Sequence, residues 1–379
     1  VCALRRVFHV LPECEPFSEF HGGAISRWVA NVLRGDGTGV VVCVEADDSW
    51  GVSANSVMNM GWMRRYSRVM RSGYRTPWLL RKWSLRRGFR GLIEQLQAGD
   101  TVWVHNRPEV AAAICAAVRR AGARMVLHMH NLHLQTTSRK AMQELDADCI
   151  VYVSRYLEEA SRSALVRPVQ GEVLYNGADG ELFRPKPKCA CEMGKPMRVL
   201  FAARLVKEKG PHLLVEALGR LLREGVAIEG VIVGGVEFGD SQPDAYVRAL
   251  QESAPSNLSF HPYCAGEALV RLFQQADVFC LPSVWDDPFP LAPLEAMATG
   301  LPVVASRSGG IPETLFDGGG ILVERDSVES LTAALRALAQ DQGRRGELAE
   351  QALRSFERHF RWEHVQGNYR AIVGRVADA

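Results

Sequence analysis

RVLFAARLVKEKGPHLLVEAL, residues 198–218, begins as an apolar run, passes through a charged turn and ends as a helix with Leu213, Leu214, Ala217 and Leu218 on one face. A strand, a tight turn and an amphipathic helix make half of a parallel βαβ unit. The decisive point is that this order has already run once through the first half of the chain. VFHVL (7–11) reads as a strand, and GGAISRWVANVLRG (22–35) as the helix behind it, with Ile25, Trp28, Val29, Val32 and Leu33 at helical spacing. VVVCV (40–44), TVWVH (101–105), RMVLHM (124–129), CIVYV (149–153) and VLYNG (173–177) continue the series. Short runs that are apolar at nearly every position suit strands covered on both faces. PKPKCACEMGKP (185–196) reads as a polar, proline-bearing linker, after which VIVGG (231–235), DVFCLP (277–282) and PVVAS (302–306) repeat the pattern. The expected fold is α/β, two Rossmann-like doubly wound parallel-sheet domains, with ligands at the carboxyl ends of the strands in the cleft between them.

The bulk composition agrees. A chain of 379 residues has room for two ordinary domains, and 47% hydrophobic with 23% charged residues describes a globular protein rather than a disordered one. No uninterrupted apolar run approaches a membrane span. The apolar part of VCALRRVFHVLPEC is too short for a signal-peptide core and reads as a first strand, so no secretion is expected. Nine cysteines, several inside apolar runs, look like small core hydrophobes in a reducing cytoplasm. Cys189 and Cys191 form a lone Cys-x-Cys without a second pair at metal spacing, so zinc is not expected. The charge is uneven: residues 1–186 carry 25 basic against 18 acidic residues, net +7, and residues 187–379 carry 20 against 25, net −5. The two halves face different partners.

Three motifs sit where such a fold binds ligands. Gly22-Gly23 lets a backbone approach an anion at a helix start, though a Gly-Gly turn is also simply a tight connection. Arg204 leaves a strand end and Lys209 precedes a Gly-Pro helix start, so two cations can share one anion; their place at a carboxyl end favours that over a solvated loop. WDDPFPLAPLEAMATG (285–300) puts Asp286 and Asp287 before three prolines and then Glu295 in a helix expected over 288–299. Asp at an N-cap and Pro in the first turn are ordinary helix-start chemistry. The same carboxylates and amides also suit sugar hydroxyls and a phosphate.

Together the last two motifs, followed by GLPVVASRSGGIPETL, resemble the carboxy-terminal half of the family 4 (group 1) retaining glycosyltransferases, whose GT-B fold has two Rossmann-like domains. That family's signature is Glu, seven residues, Glu; Asp287-Pro-Phe-Pro-Leu-Ala-Pro-Leu-Glu295 has the spacing. GGAISRWVANVL, LHMHN ending its strand at His130, VYVSRYLEE, YNGADGELFRP and FRWEHVQGNY are similar to family segments along nearly the whole chain, and EPFSEFHGGAISRW is similar in style to bacterial envelope and spore-coat members. The resemblance implies an acceptor-binding domain over 1–186, a nucleotide-sugar domain over 187–355 and a crossing helix over 356–379. It implies transfer of a hexose-type sugar with retention, from a uridine-based donor ahead of a guanosine-based one, to a glycan or lipid-linked acceptor of bacterial envelope polysaccharide or lipopolysaccharide synthesis. Arg204, Lys209 and the amides of the 288–299 helix would stabilise the departing diphosphate, Asp287 would hold the donor sugar, and Glu295 the ribose. His130 would orient the donor sugar, and Phe289, Leu291, Gly22, Gly23 and Tyr263 would complete donor binding, Tyr263 near the base. Two departures bear on donor identity: Asp287 replaces a Glu, and Pro290 replaces a glycine and has no N–H to offer. His128 reads as a strand residue with a local partner. No cofactor is implied beyond the nucleotide-sugar, and with no Asp-x-Asp motif in a plausible donor loop no metal is expected. A nucleotide-sugar 2-epimerase of similar architecture, which needs no acceptor, and a non-catalytic relative that binds sugar nucleotide or lipid are the alternatives.

Residues 62–90 carry Arg64, Arg65, Arg68, Arg71, Arg75, Arg81, Lys82, Arg86, Arg87 and Arg90 with no acidic residue, interspersed with Trp62, Trp78, Leu79, Leu80, Trp83 and Phe89. Cations with aromatic anchors suit an anionic membrane surface, at about 1 kcal/mol per basic residue near it. The same composition also fits a basic helix packed on its domain; nucleic acid ranks behind both, because no nucleic-acid module is present. The expected location is cytoplasmic, peripheral on the inner face of the membrane.

Overall fold

The computed structural model describes residues 5–18, 23–35, 37–50, 57–62, 76–185, 195–236 and 243–378. Gly22, Cys2, Cys189, Cys191 and, within the basic segment, Arg64, Arg65, Arg68, Arg71 and Arg75 lie outside them. The chain divides into two units, residues 1–176 with 365–379, and residues 177–364.

The first unit is built on β1 (Val7–Val10), β2 (Gly39–Cys43), β3 (Val57–Asn59), β4 (Thr101–His105), β5 (Arg124–Met129), β6 (Cys149–Tyr152) and β7 (Gly171–Val173). They form one sheet in the order β3-β2-β1-β4-β5-β6-β7, every pairing parallel. β1, β4 and β6 are buried at every position, which is why they read as unbroken apolar runs. The order reverses between β1 and β4, the switch point at which such sheets hold ligands. Its longer helices are α1 (Ala24–Val32), α2 (Trp78–Gly88), α3 (Pro108–Arg120) and α4 (Arg155–Ser161).

The second unit repeats the plan with β8 (Met197–Ala202), β9 (Ile228–Val233), β10 (Leu258–His261), β11 (Val278–Leu281), β12 (Val303–Ser306) and β13 (Gly320–Val323), all parallel in the order β10-β9-β8-β11-β12-β13. The switch point falls between β8 and β11. Its helices are α5 (Pro211–Arg223), α6 (Ala245–Glu252), α7 (Glu267–Gln275), α8 (Ala292–Ala298), α9 (Val328–Gln340) and α10 (Gln342–His359), and α11 (Trp362–Asp378) carries the chain back into the first unit. Val365, Tyr369, Ile372 and Val376 form the buried stripe of α11.

Four sequence expectations shift. The last strand of the first sheet is Gly171–Val173 rather than 173–177, and β3 and β13, edge strands that are mostly part-buried, do not stand out as apolar runs. The first unit ends at Asn176, ten residues ahead of the expected boundary at 186. The reason is pairing: Ala178 bridges Arg361, and its N–H donates to the Phe360 carbonyl at 3.0 Å, which ties 177–185 to the second unit. The expected single crossing segment 356–379 is the end of α10 plus α11. Finally, the helix expected over 288–299 is only Ala292–Ala298, capped by Leu291 without a side-chain bond, so neither Asp286 nor Asp287 is its N-cap. Pro288 and Pro290 disfavour the helical region for Asp287 and Phe289, so the stretch stays non-helical up to the cap at Leu291, and Pro293 takes a first-turn place.

Candidate functional site

In the second unit the loops after β8, β11 and β12 meet at the switch point. Gly210 has φ +73°, and a Cβ there would lie 1.9 Å from the Pro282 carbonyl oxygen, so only glycine lets the β8 loop lie against the β11 loop. Val284 N–H and Ser283 Oγ both donate to the Glu208 carbonyl, at 2.9 Å each. Gly309, φ +56°, takes the same role from the β12 side, where a Cβ would meet the backbone of Asp287 at 2.3 Å, and Gly310 N–H donates to the Asp287 carbonyl at 2.7 Å. Lys209 is thereby delivered to the side chain of Asp287: Nζ donates to Oδ2 in an ion pair whose side chains are only 14% and 7% exposed. The Lys209 ammonium also stands 5.8 Å over the Trp285 ring. Asp286 is matched by Arg325, whose Nη1 donates to Oδ1 at 2.8 Å while Nε donates to the Val284 carbonyl at 2.7 Å.

Both carboxylates of the WDDPFP stretch are therefore neutralised, by cations from the loops after β8 and β13. Sequence reasoning brought Lys209 and Asp287 together as site residues but placed them on different parts of the donor; the structure joins them to each other. It missed Arg325, which no local pattern marks. Arg204 is the contrast: it is exposed at the end of β8, and among the described residues its guanidinium has no ion-pair or hydrogen-bond partner. Glu295 lies in the first turn of α8, half-buried. Phe289 is buried with its ring 6.0 Å from that of Phe360, so its side chain packs the unit, and Leu291 is half-buried at the helix cap. Tyr263 follows β10 by two residues, half-buried at the opposite edge of the sheet from β13.

In the first unit the switch point holds a cluster of imidazoles. Side chains two residues apart on a strand share a face, and in-register parallel neighbours share it too. His9 pairs with Trp103, and His105 with His128, so these residues and His130 crowd one side of β1, β4 and β5. His105 Nδ1 is 3.1 Å from His130 Nε2, His105 Nε2 is 3.1 Å from His9 Nδ1, and His9 Nε2 is 2.8 Å from the Tyr369 hydroxyl of α11. Trp28 of α1 covers the group edge-on, its ring 4.7 Å from that of His128. Asn106, in the left-handed region at φ +57°, donates its N–H to the His128 carbonyl at 2.8 Å and accepts from His130 N–H at 3.0 Å, which fixes how the chain leaves β5. Burial pushes the His130 imidazole down to about 3 and depresses His105 and His128 strongly as well, with neighbouring imidazoles adding to the effect on those two. All three are neutral at pH 7. Among the described residues His128 lacks the expected local partner by hydrogen bonding: both its ring nitrogens are buried without one, and its neighbours are rings, His130 at 4.1 Å among them. Among the described residues His105, His128 and His130 are the group that could hold a metal ion, their ligand atoms lying within 4.8 Å of one another. The alternation W-x-H and H-x-H at 103–105 and 128–130 was the available signal for this cluster.

The anion position expected at Gly22-Gly23 is taken by the chain itself. Glu15 Oε1 accepts from Ser26 N–H at 2.9 Å at the start of α1, and a Cβ on Gly23 would lie 2.6 Å from that oxygen. Burial raises the Glu15 carboxyl above its ordinary range against the opposing pull of these backbone bonds.

The described part of the basic segment is α2, and its cations divide. Arg81 is buried and pairs with Glu109 at 2.7 Å, Lys82 pairs with Glu144, and Arg86 Nε donates to the Ala113 carbonyl at 2.8 Å. These three pin the helix onto its domain. The outer face is apolar and basic: Leu79, Leu80 and Trp83 are 72%, 59% and 64% exposed, and the Arg87 guanidinium lies 5.8 Å over the Trp83 ring. Trp83, Arg86, Arg87, Arg90, Ile93 and Glu94 line an open hollow of about 420 Å³ beside them.

Two Rossmann-like parallel sheets in succession, each with charged or polar side chains gathered at its switch point, define a GT-B protein. HepE of Anabaena, solved in complex with UDP, shares the fold: it is 18% identical, with a TM-score of 0.74 over 98% of this chain and 100% of that one. Residues 29–182 match the Glycosyltransferase Family 4 model, and residues 192–355 match Glycosyl transferases group 1. The GDP-mannose-dependent alpha-(1-6)-phosphatidylinositol monomannoside mannosyltransferase of Mycolicibacterium smegmatis is 32% identical over 64% of this chain and 68% of that protein. Spore coat protein SA of Bacillus subtilis is 28% identical over 72% of this chain and 78% of that protein. The chain belongs to the family 4, group 1 glycosyltransferases and is a transferase of GT-B fold.

Proposed function

We propose that the protein is a retaining glycosyltransferase that moves a hexose from a nucleoside-diphosphate sugar to a glycan or lipid-linked acceptor of bacterial envelope polysaccharide synthesis. The observation that carries the donor assignment is the uncompensated Arg204 in the β8 loop that also carries Lys209, whose ammonium pairs with Asp287 at the β8/β11 switch point. As the anomeric C–O bond to phosphate breaks, negative charge grows on the diphosphate, and preorganised cations stabilise it there more than in the ground state. Arg204 supplies a full positive charge. Lys209 supplies donors already oriented by Asp287, whose remaining oxygen valences accept from sugar hydroxyls. Glu295 accepts from the ribose. α8 has only seven residues, so its start adds little field compared with two cations. Asp287 is tied to Lys209, which speaks against a free carboxylate nucleophile; in a front-face reaction the acceptor oxygen bonds to the anomeric carbon and its proton passes to the departing phosphate oxygen. No cofactor or metal is required in this reading.

The donor base separates two readings. A neighbour of the same fold was solved with UDP and UDP-glucose, which supports a uridine donor, and the mannosyltransferase relative, named for GDP-mannose dependence, supports a guanosine one. The expected result of a thermal-shift screen is a rise in melting temperature with one diphosphate nucleotide and not the other, followed by sugar transfer to an acceptor extract that survives EDTA. Isomerised nucleotide-sugar without acceptor would instead identify an epimerase, and abolition by EDTA with rescue by manganese would overturn the metal-free mechanism.

The acceptor side faces an anionic membrane surface in this proposal, through the outer face of α2. No helix among the described residues is long and apolar enough to cross a membrane, whereas Leu79, Leu80 and Trp83 each offer about 2 kcal/mol on burial and Arg87 adds local attraction. Arg81, Lys82 and Arg86 are held inward, so they are poor targets for a test. The variant Leu79→Ser, Leu80→Ser, Trp83→Ser, Arg87→Ser is expected to lose cosedimentation with vesicles containing anionic lipid while keeping transfer to a soluble acceptor analogue. Equal partitioning of the unaltered protein to neutral and anionic vesicles, or to neither, would remove the membrane from the proposal.

A further inference from the structure

His128 is the odd member of the imidazole cluster. Among the described residues both of its ring nitrogens are buried with no hydrogen-bond partner, although buried polar atoms are ordinarily satisfied because leaving water without a partner costs free energy. What faces them is more imidazole. His105 and His128 are register partners on β4 and β5, two strands interior to the sheet, and His130 is two residues further along the same face of β5. One ligand nitrogen from each of the three lies within 4.8 Å of the other two, and the ring centroids are 5.3, 5.4 and 4.1 Å apart. A zinc ion held at about 2.0–2.1 Å by three imidazoles in tetrahedral geometry sets their nitrogens about 3.3 Å apart. His105 Nδ1 and His130 Nε2 already stand 3.1 Å from each other. The widest separation in the group therefore has about 1.5 Å to close at most.

We infer that His105, His128 and His130 form a three-imidazole site for a divalent transition-metal ion, zinc foremost. The donor set selects the ion: nitrogen ligands with no carboxylate suit zinc, cobalt, nickel or copper and not magnesium, calcium or manganese. Three protein ligands leave a fourth position for water or a small anion. The rings are neutral in the folded protein, so no charge has to be removed from them before they bind. Their surroundings hold them in place. His105 Nε2 faces His9 Nδ1 at 3.1 Å, the second-nitrogen contact that metal-bound imidazoles ordinarily make. Asn106 accepts from His130 N–H at 3.0 Å and donates to the His128 carbonyl at 2.8 Å, which fixes the spacing of those two residues. Trp28 lies edge-on against all three rings, at 5.4, 4.7 and 6.2 Å from His105, His128 and His130. His105 and His128 have no exposed surface, whereas His130 is part-exposed and gives the ion its entry. The expected absence of metal was argued for the donor loop and for the cysteines, and these imidazoles belong to neither. The ion takes no part in the transfer proposed above.

The test uses the full chain without a polyhistidine tag, stripped with EDTA and free of nucleotide-sugar. Incubation with zinc sulfate followed by desalting should leave one equivalent of zinc per chain. X-ray absorption at the zinc edge should show imidazole nitrogens at about 2.0–2.1 Å and no sulfur at about 2.3 Å. Cobalt should bind in its place, give the visible absorption bands of a four-coordinate ion and quench the fluorescence of Trp28, whose ring stands against the ligands. In His128→Phe, which keeps a ring in the core and removes one ligand, zinc affinity should fall about a hundredfold or more, since losing even the hydrogen-bond partner of a ligand costs about 10- to 100-fold. Cys14→Ser, at the exposed cysteine, should leave the affinity unchanged. A sulfur ligand, a full equivalent retained by His128→Phe, or no zinc retained by the unaltered protein would each overturn the inference. The absorption spectrum of the unaltered protein decides the matter even if His128→Phe does not fold. A site filled with zinc in protein that transfers no sugar would count against the proposed function and leave the metal site standing.

Discussion

Lys209→Ala is expected to lose stability as well as turnover, whereas Arg204→Ala loses turnover alone. The difference comes from what each side chain leaves behind. Removing Lys209 strands the Asp287 carboxylate in a site where it is 7% exposed, and breaking a buried pair from one side costs about 3–5 kcal/mol. Removing the exposed Arg204 leaves no buried charge, so its stability change should stay within about 0.5 kcal/mol. Both variants take away a cation facing the developing diphosphate charge, and the loss of one such donor costs about 3 kcal/mol of barrier, a fall of more than a hundredfold. Urea unfolding and initial rates at saturating donor separate the two effects. The double variant Lys209→Met, Asp287→Leu should regain most of the stability and none of the activity, because an apolar pair of similar volume replaces the ion pair. Near-normal rates in Arg204→Ala would put the diphosphate elsewhere, and an unchanged unfolding midpoint in Lys209→Ala would mean that the buried pair does not form.

The second large effect is on stability against acid. His105, His128 and His130 are held neutral in the folded state at values well below their ordinary range, His130 at about 3, chiefly by burial. Their unfolded values lie near 6.5, so below that pH the unfolded chain binds more protons than the folded one. The contribution of these groups is thus complete above about pH 6.5 and is lost as pH falls toward the folded values. Each histidine should add a slope approaching 1.4 kcal/mol per pH unit between about pH 6 and pH 5, a range that ends before most carboxylates titrate. Urea unfolding of the first unit, followed through Trp28 and Trp103, which contact these rings, reads the slope directly. His128→Phe should reduce it by the share of one histidine. A free energy independent of pH over this range would show that the imidazoles are not buried neutral.

Much of the arrangement was legible because its signals are local. A strand buried on both faces must be apolar at successive positions, so β4 and β5 were readable residue for residue, and the restart of the pattern at 198–218 announced a second sheet. Parallel sheets place ligands at strand ends, which brought Arg204 and Lys209 forward, while Asp287 and His130 came from the resemblance to the family. Helix limits were less legible where prolines intervened: LEAMA is helical, but the start at Ala292 depends on two prolines that disfavour the helical region for the residues before them.

By itself, then, the sequence determined two doubly wound units, the strand ends at which chemistry belongs and the family that combines them. Only the tertiary structure decided the partners of those residues. Whether Asp287 stands free or bonded depends on β8 lying beside β11, a neighbour 78 residues away along the chain, and Asp286 finds Arg325 across 39 residues in the same way. The inward and outward faces of α2 were fixed by Glu109 and Glu144, and His9 meets the hydroxyl of a tyrosine that enters with the last helix. Side-chain periodicity is a property of the local backbone, whereas pairing is set by sheet order and by what the chain returns to cover.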